Sequence, residues 1–220
     1  MTQSPIATAA DYADAMLIAR QVKSWLILLL LVMLAVQLAL FFMARYDVIH
    51  LPSAPAATAI ASIEKPSKAA QGLQYVIGLI DFVGIACTIL LSLMLLLLVL
   101  IMLVGRLIGL SHVMAALVGS LIAAVLLFPW QAFLDNAGLT ASQADFKIPG
   151  VLYTFNELLA SAHFPSDSFF PALLKWSRFV VFPIVTFALL IWIHIRSKTG
   201  LRLALGEAEP PIGNLDDDHT

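Results

Sequence analysis

Charge is scarce in this chain. Asp, Glu, Lys and Arg make up 12% of its 220 residues, against about 25% in an ordinary soluble domain. Such a chain cannot cover its surface with groups that water solvates, so much of that surface suits hydrocarbon. The net charge of −2 argues against nucleic acid as a partner, which needs a basic face. Cysteine is nearly absent, with Cys87 alone in an apolar run. One thiol closes no intramolecular disulfide and rules out CxxC and CxxCH motifs. GxSxG, HExxH, the P-loop and the dinucleotide fingerprint are missing too. A non-enzyme without metal or resident cofactor is therefore expected. The halves 1–110 and 111–220 differ in loop and helix lengths, which argues against an inverted-repeat transporter.

Long apolar runs are abundant. Phe82–Gly105 carries no formal charge, and the enclosing run Tyr75–Gly105 has only Asp81. That length is enough to cross a bilayer. Three further runs accompany it, so the expected fold is an all-α integral membrane protein with four transmembrane helices. The spans fall at about 25–45, 75–105, 112–129 and 172–196. The first apolar core, Trp25–Ala44, exceeds the 7–15 residues of a signal-peptide core and reads as a retained helix. Thr8, with Asp11 three residues on, predicts the start of one long helix from about Ala9 to Tyr46. Pro52, Pro55 and Pro66 break the connection that follows, and a helix restarts near Ser67.

Gly105 and Gly109 bracket Arg106 in a short turn, and Ser111 is placed to cap the third span. A turn this short makes the second and third spans antiparallel neighbours. Pro129-Trp130 ends the third span. Beyond Pro149-Gly150, the stretch Val151–Ala162 sets Val151, Leu152, Phe155, Leu158 and Leu159 on one face and Glu157 elsewhere. It predicts an amphipathic helix on the outer side, between the third and fourth spans. Pro183 falls inside the fourth span and should kink it. The organisation is thus an N-terminal interfacial helix (1–24), a four-helix domain (25–198) and a polar, acidic tail (199–220) expected to lack order.

The twelve Lys and Arg split evenly between the two sides. Arg20 and Lys23 outweigh Arg45 around the first span, and the terminal side has the higher basic density, so both termini are assigned to the cytoplasm. A short chain without sorting motifs or an N-x-S/T sequon suits a bacterial inner membrane.

Small residues mark where helices approach in lipid. On the second span these are Gly78, Gly84, Thr88 and Ser92, with Asp81 among them. On the third they are Ala116, Gly119, Ser120 and Ala123. The two faces are expected to meet each other, or one of them to meet a partner subunit. Asp81 is the only acid inside a span, and an intramembrane ionisable residue is a functional candidate by default. Gln37, the lone amide of the first span, is placed to bond a neighbouring helix. His112 and His194 lie at the same end of neighbouring spans, which raises haem b or quinone ligation as a minor reading. The expected function is a non-catalytic, multi-pass subunit in contact with membrane lipid, associating with itself or with other membrane proteins through the small faces. The alternatives are a small ion- or proton-coupled transporter or channel using Asp81, and a haem- or quinone-associated redox subunit.

Overall fold

The computed structural model describes residues 5–46, 68–130, 133, 150–155, 157, 158, 173 and 176–207. They are helical with no strand, and four helices are long and apolar enough to cross a membrane. Helix α1 spans Pro5–Arg45, α2 Lys68–Val104, α3 Leu110–Leu127 and α4 Phe182–Ala204, the last preceded by a π-helical turn at Ser177–Val181. Each is built from Leu, Ala, Met and other good helix formers. Thr8 does not start α1. The helix begins at Pro5, whose missing N–H costs nothing in a first turn.

The helices alternate in direction, and α1 packs on α2, α2 on α3, α3 on α4 and α4 back on α1. The result is a closed up-down-up-down bundle. One end, the termini end, carries the start of α1, the α2–α3 turn and the end of α4; the other, the loop end, carries the end of α1, the start of α2 and the described residues 150–155. The core runs the length of the bundle through Ile27, Leu30 and Leu34 of α1, Leu91, Leu95 and Leu98 of α2, Ala116 and Ala123 of α3, and Leu190 and Ile193 of α4. A second, aromatic cluster closes the loop end. There Phe41 of α1 stacks on Phe179 at 4.8 Å, and Tyr153 meets Phe179 edge-on at 5.2 Å.

Ser111 does not cap α3. Position 109 precedes the helix with φ 96°, and Ser111 lies inside it. The turn leaves α2 through a Schellman motif, in which the Leu107 N–H reaches Met102 O at 3.0 Å and the Arg106 N–H reaches Leu103 O at 3.3 Å. Arg106 occupies the left-handed position at φ 49°. The same motif ends α4 around Gly206, at φ 69°.

The fourth span runs past the expected limit of 196 to Ala204, and Gly200 and Leu201 are buried. The segment assigned to a polar tail from 199 therefore begins as packed helix, because Leu201, Ala204 and Leu205 keep an apolar face going. The remainder, 208–220, lies outside the described residues. Pro183 distorts the helix in a specific way. With no N–H at 183, the turn before it widens, and the Phe182 N–H bonds Ser177 O, five residues back.

The small faces of α2 and α3 do not meet at their glycines. Gly119 faces α4, where a Cβ would lie 2.8 Å from the Trp192 ring and 3.0 Å from Ile193. Gly84 faces the connection, with Leu152 3.8 Å from a Cβ. Ala116, Ser120 and Ala123 are buried beside Gly119. Thr88 and Ser92 return their hydroxyls to the carbonyls of Gly84 and Thr88 on their own helix, at 2.6 and 3.1 Å. The tightest approach is one not anticipated: a Cβ at Gly109 would stand 2.6 Å from the Gly200 carbonyl oxygen.

Gly109→Ala combines that clash with a left-handed backbone and should lower stability by about 1–3 kcal/mol. Gly78→Ala, which meets nothing within 4 Å, should leave stability unchanged or slightly raised. Thermal unfolding of the two variants in the same detergent checks the contrast.

Candidate functional site

Polar side chains gather at the loop end, on four separate stretches of chain. Gln37 is buried on α1 and its amide Nε2 donates to Asp81 Oδ1 on α2 at 3.1 Å. The hydroxyl of Tyr153 donates to the backbone carbonyl of the same Gln37 at 2.6 Å. Arg178, held in the π-helical turn, donates Nη2 to both carboxylate oxygens of Glu157, at 2.9 and 3.0 Å. Side-chain exposure of the two partners is only 7% and 8%. Burial, and after it the charge of Asp81, pushes the Tyr153 phenol above its usual range, so it remains a donor.

This geometry corrects the expected amphipathic helix. Val151–Thr154 is not helical, and Val151, Leu152 and Tyr153 turn into the bundle instead of lying on a surface. The Val151 N–H bonds Leu126 O at 2.9 Å, which ties the segment to the end of α3. Helix begins only after Thr154, in a capping box. The Glu157 carboxylate accepts the Thr154 N–H at 3.1 Å, and Thr154 Oγ1 accepts the Glu157 N–H at 3.4 Å. Glu157 is therefore a buried partner of Arg178, not part of a solvated face. The rest of the stretch, from 159, lies outside the described residues, as do His50, His163 and Lys175.

Asp81 has no cation within ion-pair distance among the described residues. It opens onto a cavity of about 620 Å³ that also touches Gln74, Ile77, Gly78, Thr154 and Phe155. Gly78 is exposed there and a Cβ on it would meet nothing within 4 Å, so it does not pack against α3 within the bundle. Gln37 Oε1 is buried without a donor, and so are Nε and Nη1 of Arg178 without acceptors. Among the described residues the cluster thus presents a carboxylate without a cation, one free amide oxygen and two free guanidinium N–H groups on Arg178.

His112 and His194 are engaged in different places. His112 Nδ1 lies 3.2 Å from Arg196 Nη1, and His194 lines a cavity between α1 and α4. Among the described residues, no three of His, Cys, Asp and Glu converge on a point that could hold a metal.

Sequence reasoning reached Asp81 and Gln37 but not Tyr153, Glu157 or Arg178. The signal for Glu157 was present in the capping-box spacing Thr154-x-x-Glu157. No signal announced its partner, because Arg178 is turned inward by the π-helical widening.

Removing one member of the buried pair strands the other charge, so Glu157→Gln or Arg178→Met should each cost about 3–5 kcal/mol. The double variant Glu157→Leu with Arg178→Met should recover much of that loss, and a double-mutant cycle of unfolding in detergent measures it. No family model matches the chain, and no curated protein or solved structure is significantly similar to it.

Proposed function

We propose that the chain is a non-catalytic membrane subunit whose assembly surface is the open groove beside Asp81. The observation that carries this reading is the pairing of Asp81, which has an amide partner and, among the described residues, no cation, with the unpacked Gly78 one turn away. In hydrocarbon a carboxylate needs a donor or a counter-charge, and a small residue beside it lets another backbone come close. A helix of a partner subunit bearing Lys, Arg or another donor meets both needs. The α3 stripe is a poorer assembly surface, because Gly119 is already filled by Trp192 and Ile193.

On this reading the bundle lies in a bacterial inner membrane with both termini in the cytoplasm. The basic residues Arg20, Lys23, Arg196, Lys198 and Arg202 at the termini end support that orientation. The helix that starts after Thr154 then covers the loop end, on the outer side.

A second reading has its own observation. The free Gln37 Oε1 and the Asp81 carboxylate together offer oxygen ligands to a proton or a small cation, which suits a coupled transporter or channel. In proteoliposomes Asp81→Asn then abolishes an ion- or proton-coupled flux. A flux retained in that variant, or none in the wild type, contradicts it.

For the assembly reading, Asp81→Asn and Gly78→Leu should each release the partner when the tagged chain is extracted from native membranes in mild detergent. Sizing and mass spectrometry of the wild type and both variants check it. A wild-type chain that migrates alone, or variants that keep the same company, contradicts the reading.

A further inference from the structure

A second open cavity, about 530 Å³, lies at the termini end between α1 and α4. Its ionisable lining is basic, with Arg20 and Lys23 from α1 and His194 and Lys198 from α4, beside the neutral Gln21 and Ser24. The spacing puts each pair on one face of its helix, about one turn apart. Leu17, Trp25 and Leu28 supply an apolar margin that is exposed.

These residues do not behave as ordinary interfacial cations. A Lys at the edge of an apolar stretch normally extends its ammonium towards water. Lys23 does the reverse: it is 1% exposed and donates Nζ to Ser197 Oγ at 2.7 Å. Ser197 is itself fixed, donating to Ile193 O at 2.7 Å. An ammonium has three donors, and among the described residues no carboxylate pairs with Lys23 or Lys198. Among the described residues Glu207 pairs with Arg20 at 3.1 Å and is approached by Arg202 at 3.9 Å. The described lining therefore holds three cations, Arg20, Lys23 and Lys198, and no carboxylate, and Glu207 outside it is shared by Arg20 and Arg202. Like charges this close, at the edge of a low-dielectric region, call for an anion from outside.

We propose that this cavity binds the phosphate of an anionic phospholipid. Lys23 and Lys198 face the phosphate, His194 adds a donor, and an acyl chain follows Leu17 and Leu28 along the outside of α1. Basic pockets between membrane helices are suited to such headgroups. The inference needs the chain to sit in a bilayer but is independent of the role given to Asp81.

The test uses the full chain, purified in an uncharged detergent, with three probes: phosphatidylglycerol, phosphatidylcholine and inorganic phosphate. Native mass spectrometry reads retained lipid, and thermal unfolding reads stabilisation. Phosphatidylglycerol should be retained at one site per chain and raise the unfolding midpoint, and phosphatidylcholine should do neither. Lys198→Gln, at an exposed position, should weaken retention about fivefold, as expected for one cation near an anionic surface. Lys23→Met should weaken it further, but Lys198→Gln is decisive if the Lys23 variant does not fold. Equal retention of the two lipids, or full retention by Lys198→Gln, overturns the proposal. Stabilisation by inorganic phosphate as large as that by phosphatidylglycerol overturns the lipid assignment in favour of a water-soluble phosphate compound.

Discussion

All four helices are apolar on nearly every side, so burial of hydrocarbon cannot by itself decide which face turns inward. Leu93, Leu97 and Leu100 of α2 are exposed, while Leu91, Leu95 and Leu98 of the same helix are buried. In lipid the two sets have nearly the same solvation energy. The choice falls to features that only one arrangement satisfies. At the termini end these are the backbone approach of Gly109 to Gly200 and the Lys23–Ser197 bond. In the middle it is Gly119 against Trp192. At the loop end it is the set of bonds among Gln37, Asp81, Tyr153, Glu157 and Arg178. Each contact joins two different helices, or a helix and the connection, and together they close the ring.

The loop end shows how one local distortion organises a site. Pro183 takes a donor out of the ladder, the turn before it widens, and Arg178 is delivered inward. A buried guanidinium then needs a carboxylate. Glu157 supplies it from a capping box that also sets where the connecting segment becomes helical. The same segment carries Tyr153 to Gln37, and Gln37 holds Asp81. Glu157 is thereby committed to structure. Among the described residues of the loop end, Asp81 is the acid without a cation partner, and it borders the open groove.

Much of the fold was legible in the sequence, because span number depends only on apolar run length, and Asp81–Gln37 stood out as polar breaks in such runs. Helix ends were less legible. Thr8 and Ser111 looked like caps, but Pro5 and the left-handed Gly109 took those positions, since backbone geometry outweighed side-chain capping. The extension of α4 to Ala204 was hidden because the polar, acidic composition of 199–220 as a whole masked the short apolar stretch at its start. The inward turn of Val151–Tyr153 was hidden for another reason: the same apolar residues satisfy a surface helix and a buried strand of chain equally well. Only the Thr154-x-x-Glu157 spacing distinguished them. The partners of Gly119 and Gly84 were beyond reach, as small-residue spacing marks a close contact without naming the neighbour.

The central claim is that a protein partner occupies the groove beside Asp81. Site-specific photo-crosslinking in native membranes tests it most directly, with a photoreactive phenylalanine analogue in place of Phe82, which borders that groove and is 70% exposed. Leu93, exposed further along α2, serves as the control position. The account predicts a discrete protein adduct from position 82 that disappears when Asp81 is replaced by Asn, and lipid adducts alone from position 93. Lipid adducts alone from both positions would contradict it.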